Sequence, residues 1–323
     1  MICKICLEKL SASEYLEHLE TNHLPYYEEL CESILTLNNL GTPIAEIAEE
    51  LGVSQKIISE NISLMMESEA EYTVSKPINI KEWEPKDFRM EATTVWSFKD
   101  RGKWATHSGK YRGNWSPYIP RNLILRYSKE GDTVLDPFLG SGTTLVETKL
   151  LKRKGIGIDI NPEAIKIAKE NLRFNKNLEF EPIIHNHDSR NLSIIEDNSI
   201  DLVCAHPPYA NIIKYSEDIK GDLSLLDIKE FLVEISSVAK ELFRVLKKDK
   251  YCAILIGDTR RNKHMVPLGF YVMQEFLKAG FVLKENIIKE QHNCQATGFW
   301  YKKSIDYNFL LIAHEYLFVF RKP

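Results

Sequence analysis

The stretch Asp136-Pro-Phe-Leu-Gly-Ser-Gly-Thr-Thr144 joins an apolar segment to a segment with helical periodicity. Residues 133–136 are predicted to form a short buried strand, and residues 143–150 are predicted to form the helix that follows it. Glycines in such a turn let the backbone approach a ligand closely. The stretch differs from the glycine pattern of dinucleotide sites and lacks the Gly-Lys-Ser/Thr of a phosphate loop. It therefore predicts an α/β fold with a ligand site at the carboxyl end of this strand.

Strands and helices alternate through the rest of this region. Further strands are predicted at 155–160, 183–187, 201–204 and 251–257, and further helices at 162–175, 228–247 and 266–279. Residues 281–289 and 308–321 are predicted to pair as antiparallel strands that close the sheet. This alternation predicts a doubly wound, mostly parallel, seven-stranded Rossmann-like α/β sheet.

Two aspartates come at the ends of predicted strands. Asp159 lies at the end of the second strand, and Asp188 follows the third. Because the carboxyl ends of parallel strands meet at one edge of a sheet, we expect both carboxylates near the Gly-rich turn. Asp159 is placed to accept hydrogen bonds from a ribose diol, and Asp188 from an adenine amino group.

A second motif, Ala205-His-Pro-Pro-Tyr209, ends another predicted strand. Together with the Gly-rich stretch it resembles the S-adenosylmethionine-dependent DNA amino-methyltransferases, which modify the N4 amine of cytosine or the N6 amine of adenine. The resemblance covers roughly residues 95–323. It implies an enzyme that uses S-adenosylmethionine, with DNA favoured over RNA. The continuation Pro-Pro-Tyr-Ala-Asn is slightly more similar to the cytosine-N4 members, so cytosine is placed ahead of adenine.

The resemblance also assigns cofactor-binding residues. It implies that Asp159 holds the ribose, that Asp188 holds the adenine, and that a segment near Pro117 covers the cofactor from the other side. The residues assigned to the methionine side are those of the Gly-rich turn: Asp136, Pro137, Phe138, Gly140, Ser141, Gly142 and Thr143.

The four residues from His206 to Tyr209 are the predicted catalytic group. An exocyclic base amine is a poor nucleophile because its lone pair is delocalised into the ring. An acceptor side chain at His206 and a proline carbonyl, from Pro207 or Pro208, can hydrogen-bond its two N–H groups and favour the form that attacks a methyl sulfonium. Tyr209 would stack on the flipped base. The family usually has Asp, Asn or Ser where His206 stands, and only a neutral imidazole can accept a hydrogen bond there. The alternative is that His206 merely packs and the carbonyl alone binds the amine.

Members that act on DNA usually carry a separate target-recognition domain, and residues 145–205 are too few to hold one. Base contacts must then come from the N-terminal module, from loops or from a partner. The segment 96–127 combines cations with aromatic rings, which is typical of nucleic-acid binding. The nucleic-acid candidates are Arg101, Lys103, Lys110, Arg112 and Trp115, with Arg260 and Arg261 in a later loop.

The chain of 323 residues has a net charge of −4 that is unevenly distributed. Residues 1–71 contain three lysines and fourteen glutamates, a net charge of −11, whereas the remaining 39 basic and 32 acidic residues give +7. The charge pattern and the motifs predict three parts: a zinc-finger-like module at 1–30, a helix-turn-helix-like module at 31–75 and the methyltransferase domain at 76–323.

The first module contains the spacing Cys3-x2-Cys6-x11-His18-x4-His23, which is typical of a tetrahedral Zn²⁺ site. In the second, Thr42, Pro43 and Gly52 are predicted to bound a helix, and Ser54 is predicted to cap the next. This resembles a helix-turn-helix. Phosphate binding needs more Lys and Arg than this acidic module offers, so a protein partner is an equal alternative to DNA.

The composition excludes several classes of protein. No apolar run is long enough to span a membrane, and the first residues do not form a signal peptide. We therefore expect a cytoplasmic protein without a membrane partner. Two other functions remain open, methylation of an RNA cytidine at N4 and a non-catalytic regulator that binds DNA and senses the cofactor.

Overall fold

The computed structural model describes residues 5–6, 15, 18–19, 21–39, 42–59, 77–216, 219–292 and 297–323. The chain divides into two compact units, Met1–Lys76 and Pro77–Pro323. In the described part of the chain, no helix is both long and apolar enough to cross a membrane.

The first unit is helical. Helix α1 spans Leu24–Asn39, helix α2 spans Ile44–Leu51, and residues 55–59 are again helical. Helix α2 begins one residue later than predicted, because Pro43 is extended and serves as its N-cap. Gly52 ends it with a φ of 64°, as its position predicted, and the hydroxyl of Ser54 accepts from the Ile57 N–H at 3.4 Å. The helices share a buried core: Tyr15, Leu19, Leu30, Ile34, Ile47, Ile57 and Ile58. The helix-turn-helix assignment remains a prediction.

Over the residues that the structure describes, the second unit is built on one eight-stranded sheet. Its strands are β1 (Val95–Trp96), β2 (Thr133–Asp136), β3 (Lys154–Asp159), β4 (Ile183–Asn186), β5 (Ile200–Ala205), β6 (Leu246–Ile256), β9 (Val282–Glu290) and β10 (His314–Arg321). Their order is β1-β9-β10-β6-β5-β2-β3-β4, and β10 runs antiparallel to both of its neighbours. A separate hairpin pairs β7 (Thr259–Arg261) with β8 (His264–Val266). The doubly wound fold is thus confirmed. The eighth strand, β1, was not predicted, because it is only two residues long.

Helices cover both faces of the sheet. They are α3 (Tyr118–Tyr127), α4 (Thr143–Leu150), α5 (Pro162–Asn171), α6 (Ile228–Val245) and α7 (Leu268–Lys278). A further helix, α8 (Thr297–Asp306), lies in the connection between β9 and β10. Alternate strand residues point to opposite faces. Leu135 and Val203 therefore pack in the core that contains α6 and α7, whereas Val134 and Leu202 pack in the core that contains α3.

The end of one helix and the start of one strand differ between the sequence prediction and the structure. Helix α5 ends at Asn171 rather than at 175, because the Lys149 ammonium donates to the backbone carbonyls of Leu172 (3.1 Å) and Phe174 (3.0 Å) and holds the chain in a turn. Strand β6 begins at Leu246, directly after α6, and is therefore longer than predicted. Residues 68–87, with Pro77 and Pro85, look like a linker in sequence. The described part of this stretch, 77–87, belongs to the second unit, since Ile80 and Trp83 pack on its core.

Candidate active site

A cleft of about 840 Å³ opens at the carboxyl edge of strands β2, β3 and β4. The predicted cofactor residues that line it are Asp136, Pro137, Phe138, Gly140, Thr143, Asp159 and Asp188. Ser141, Gly142 and Pro117 lie outside this lining. Ser141 instead accepts a hydrogen bond at its hydroxyl from the Asn114 amide, 2.9 Å away. Pro117 directly precedes helix α3. The residues of its segment that line the cleft are Tyr111, Gly113, Asn114 and Trp115.

The Gly-rich turn needs its two glycines for different reasons. Gly140 has a φ of 51°, and its N–H donates to Asp159 Oδ2 at 2.7 Å. Gly142 has a φ of 81°, and a Cβ there would lie 3.0 Å from the Cβ of Ala168 on helix α5. Left-handed backbone favours glycine at both positions. Asp159 thus holds the turn as well as facing the cleft.

Asp136 lies at the floor of the cleft and is fully enclosed. Its carboxylate accepts from the Phe138 N–H at 3.0 Å and from the Thr144 hydroxyl. Burial raises the pKa of Asp136 to about 7, and these two hydrogen bonds only partly oppose the effect. The group therefore titrates close to neutral pH.

The cleft is rich in acidic side chains. Asp136, Asp159, Asp188 and Asp222 all line it, against one guanidinium, that of Arg190. Arg190 is already paired with Asp188, with Nε 2.9 Å from Oδ2, and with Glu234 at 2.9 Å. Burial raises the pKa of Asp159. Burial also opposes ionisation of Asp188, but the hydrogen bonds from Arg190 outweigh it and lower that pKa. The cleft therefore suits a ligand with positive charge.

A second cleft, of about 1,550 Å³, adjoins the first. The two share part of their lining: Gly113, Asn114, Trp115, His206 and Tyr215. Pro208 faces the first cleft, whereas Pro207 and Tyr209 face the second. The predicted catalytic motif therefore forms the boundary between the two cavities.

A chain of hydrogen bonds fixes the protonation of His206. Lys289 lies 2.9 Å from Glu315. Burial opposes ionisation of Glu315, but Lys289 and neighbouring groups outweigh it and lower its pKa, so Glu315 is a carboxylate and can only accept. The Tyr209 hydroxyl donates to Glu315 at 2.7 Å. Its oxygen must then accept from His206 Nε2, 3.0 Å away.

This arrangement leaves His206 Nδ1 with a lone pair. Burial lowers the pKa of His206 to about 4, so the ring is neutral at pH 7. With its proton on Nε2, a neutral imidazole is an acceptor at Nδ1. The ring also stacks on Trp115, with centroids 5.4 Å apart and planes inclined by 14°. His206 can therefore do what the usual Asp, Asn or Ser does at this position, which is to accept a hydrogen bond.

The segment 96–127 is less open than its composition suggests. Trp96, Trp104 and Trp115 are buried. Arg101 donates to the Asn114 backbone carbonyl at 3.1 Å and to the side chain of the same residue, and burial lowers its pKa to about 10. Arg101 and Trp115 line the second cleft, whereas Trp96 and Trp104 belong to the hydrophobic cores. A nucleic-acid role for Arg101 and Trp115 remains a prediction. Lys103, Lys110 and Arg112 are exposed.

A buried glutamate explains how this segment is held. Glu147 on helix α4 is fully buried and accepts from Trp104 Nε1 and His107 Nε2, each at 2.7 Å, and from Arg121 at 2.9 Å. A buried charge is stable only when it is paired in this way. Sequence reasoning missed this network, as it missed Glu315 and Lys289, because their partners lie far away in the chain.

In the first unit, Cys6, His18 and His23 lie together. Their ligand atoms are all within 4.8 Å of one another, and Cys6 Sγ is 3.2 Å from His18 Nε2. His23 Nε2 is buried and has no hydrogen-bond partner among the described residues. Cys3, the fourth predicted ligand, lies outside the described residues.

The fold and the cleft together define a class. A sheet whose antiparallel strand β10 lies between β6 and β9, with a Gly-rich turn and an acidic cleft at its carboxyl edge, is that of the Rossmann-like methyltransferases. The family model described as DNA methylase matches residues 49–170, and the model described as methyltransferase domain matches residues 128–306. Because the second match spans more than half of the chain, the chain belongs to the methyltransferase domain family.

Individual relatives match over shorter stretches. Type II methyltransferase M2.LlaDCHI of Lactococcus lactis subsp. cremoris is 50% identical over 74 residues, 23% of this chain and 26% of that protein. The tRNA (guanine(10)-N2)-dimethyltransferase of Methanothermobacter thermautotrophicus is 29% identical over 177 residues, 54% of this chain and 50% of that protein. The crystal structure of TrmN from Thermus thermophilus is 18% identical, covers 66% of this chain and 50% of that one, and has a TM-score of 0.42. The chain spans about a quarter of the length of the first relatives it matches.

Proposed function

We propose that this protein transfers a methyl group from S-adenosylmethionine to the exocyclic amine of a nucleic-acid base. The observation that carries the proposal is the position of His206, Pro207 and Tyr209 on the boundary between the acidic cleft and the second cleft. One cavity takes the cofactor and the other takes the base, and the boundary between them includes groups that can bind an amine.

The acidic cleft fits the cofactor in charge. When bound, S-adenosylmethionine supplies an electrophilic methyl group on a positively charged sulfonium. Asp136 would face the cationic methionine end, and Asp159, whose carboxylate has lone pairs beyond those used by Gly140 and Asn161, would accept from the ribose hydroxyls. Asp188 is paired with Arg190, so it would accept from the adenine amino group in addition to this ion pair.

The catalytic residues would act by orienting the amine. His206 Nδ1 accepts one amine N–H and the Pro207 carbonyl accepts the other, which turns the nitrogen lone pair toward the first cleft. The amine loses one proton on methylation, and Nδ1 of the neutral His206, which accepts one of its N–H groups, can take that proton. Tyr209, fixed at its hydroxyl, offers its ring as a wall for an extruded base.

DNA is the favoured polymer and cytosine N4 the favoured amine. The match to the DNA methylase family model supports DNA, and the continuation Pro-Pro-Tyr-Ala-Asn after His206 supports cytosine. Structured RNA is the second candidate, and the similarity to a tRNA methyltransferase that modifies another exocyclic amine, guanine N2, supports it.

The choice of polymer is tested with labelled S-adenosylmethionine and two substrate pools, genomic DNA and total RNA, both from cells that lack such methylation. We expect the label in DNA. Label confined to RNA would reassign the substrate, and a protein that labels neither pool would contradict the proposed activity.

Cofactor affinity should increase with pH. Because the pKa of Asp136 is about 7 and only its carboxylate attracts a cation, the competent fraction rises between pH 6 and pH 8. We expect binding about tenfold tighter at pH 8 than at pH 6, measured by calorimetry. Asp136→Asn should bind more weakly and lose this part of the pH dependence. The comparison isolates Asp136, since titration of the cofactor is common to both proteins; equal pH profiles would contradict the assignment.

We also propose that the first unit holds a structural Zn²⁺. The residues fit the ion, because the ligand atoms of Cys6, His18 and His23 lie close together. His23 Nε2 is buried, has no hydrogen-bond partner among the described residues and can bind a metal. Cys3 would complete the set.

The negative charge of this unit supports a protein partner rather than a phosphate backbone.

The zinc proposal predicts one zinc per chain in metal analysis of the full-length protein. Cys6→Ser and His23→Ala should each lose the metal. Cys31→Ser, which changes a cysteine of the same unit outside the cluster, should keep it. A wild-type chain that is purified without chelator and contains no zinc would show that the spacing is coincidental.

A further inference from the structure

Helix α8 and the residues after it carry large apolar side chains in solvent. In residues 297–310, which we call the aromatic segment, five such side chains are more than half exposed: Phe299, Tyr301, Ile305, Tyr307 and Leu310. Trp300 is 43% exposed. Folded domains rarely leave so many rings in water on one short segment unless the segment contacts something.

Cations are interleaved with these rings. Lys303 Nζ lies 4.1 Å from the ring centroid of Phe299 and 4.9 Å from that of Trp300. The hairpin β7–β8, residues 259–266, supplies more: Lys263 lies 4.6 Å from the Tyr307 centroid and the Arg260 guanidinium 5.0 Å from that of Phe309. Together the two pieces contain five Lys or Arg and one Asp, a net charge of +4. Such a surface is complementary to a polyanion and not to an apolar partner.

The two pieces form one surface. Arg260 donates to the backbone carbonyl of Leu310 at 2.9 Å, which joins the hairpin to the aromatic segment. Arg261 donates to Asn211 Oδ1 at 2.9 Å, and Asn211 lies two residues after Tyr209. The surface is therefore tied directly to the catalytic motif.

Its place in the fold is at the mouth of the second cleft. The hairpin follows β6, and the aromatic segment connects β9 to β10, so both leave the sheet at the edge that holds the catalytic motif. Thr259 of the hairpin lines the second cleft, and so do residues that flank the two pieces: Asp258, Gln291, His292, Ile312 and His314. A strand that delivers a base to this cleft would pass over both pieces.

We infer that the aromatic segment and the β7–β8 hairpin bind the nucleic-acid strand on either side of the target base. This inference rests on the proposed function and adds the recognition surface that the short catalytic domain would otherwise lack. Rings stack on unpaired bases, and Lys and Arg contact the phosphates between them.

The test compares two double variants of the full-length chain. Trp300→Ala/Lys302→Ala removes one ring and one cation from the aromatic segment. Tyr271→Ala/Lys278→Ala removes an exposed ring and an exposed lysine from helix α7 and serves as the matched control. Binding is measured by fluorescence anisotropy with a random-sequence single-stranded DNA of 20 nucleotides and with its RNA counterpart, both in the presence of S-adenosylhomocysteine.

We expect the first variant to bind DNA about 5- to 150-fold more weakly than wild type, the range that loss of one stacked base gives. The slope of log Kd against log salt should fall by about 0.7 for the lost lysine. The control should stay within twofold. The single variant Trp300→Phe should retain most of the affinity because it keeps a ring. Weakening confined to the RNA probe would support the surface and make RNA the polymer.

Equal binding by the two double variants would overturn the inference and leave the aromatic segment to a protein partner. Methyl transfer by the wild-type protein, measured on the same preparation, distinguishes failure of the recognition surface from failure of the proposed function. Transfer with equal variants refutes only the recognition surface, whereas a wild type that transfers no methyl group to DNA or RNA refutes the proposed function.

Discussion

Tyr209→Ala is expected to reduce methyl transfer at least about 100-fold while S-adenosylmethionine affinity stays within twofold of wild type. The substitution removes the wall of the second cleft and both hydrogen bonds of the hydroxyl, to Glu315 and to His206. Without them, nothing fixes the proton of His206 on Nε2, and Nδ1 is no longer held as an acceptor. The cofactor cleft is unaffected, because Tyr209 lines only the second cleft.

Tyr209→Phe separates the two roles of this side chain. The ring remains beside Gly257, but the hydroxyl link between His206 and Glu315 is lost. We expect an intermediate rate, measured in single turnovers with saturating cofactor. If Tyr209→Phe is as active as wild type, the hydrogen-bond chain does not orient His206. If Tyr209→Ala loses cofactor binding, Tyr209 has a different role.

Asp159→Ala should weaken cofactor binding by about 100-fold or more. The variant removes the proposed acceptor for the ribose and also the partner of the Gly140 N–H, which lies 2.7 Å from Asp159 Oδ2. A ribose diol can donate two hydrogen bonds to this carboxylate, and hydrogen bonds to a charged group contribute about 1.5–3 kcal/mol each, so losing both accounts for an effect of this size. Calorimetry of the full-length protein measures it directly.

Two further variants control for charge and for the turn. Glu163→Ala removes an exposed carboxylate four residues later, at the start of helix α5, and should leave binding unchanged. Asp159→Asn keeps one acceptor oxygen and should fall between wild type and Asp159→Ala. Unchanged affinity in Asp159→Ala would show that the ligand of this cleft does not contact β3.

The sequence was sufficient where local signals decide the structure. Strand β2 and helix α4 begin and end where predicted, because apolar residues stop at Asp136 and the glycines fix the turn that follows. The convergence of Asp136 and Asp159 on one cleft follows from parallel strands alone.

Contacts between distant residues could not be predicted in this way. Tyr209 and Glu315 are 106 residues apart, and no periodicity links them. The cations and aromatic rings of 96–127 have a composition typical of nucleic-acid binding. Trp104 is nevertheless buried, and its Nε1 donates to Glu147, 43 residues away. Composition alone does not distinguish a ring that pairs with a buried charge from a ring in solvent, such as those of Phe299 and Tyr301.

Whether the methyl group goes to an exocyclic amine is tested most directly by identifying the methylated atom. Nucleic acid labelled by the wild-type protein is digested to nucleosides, and the product is identified by mass and by comparison with standards. We predict N4-methylcytosine, absent from the Tyr209→Ala reaction. Methylation of a ring carbon, such as C5 of cytosine, or of a ribose hydroxyl would contradict the roles of His206 and Pro207.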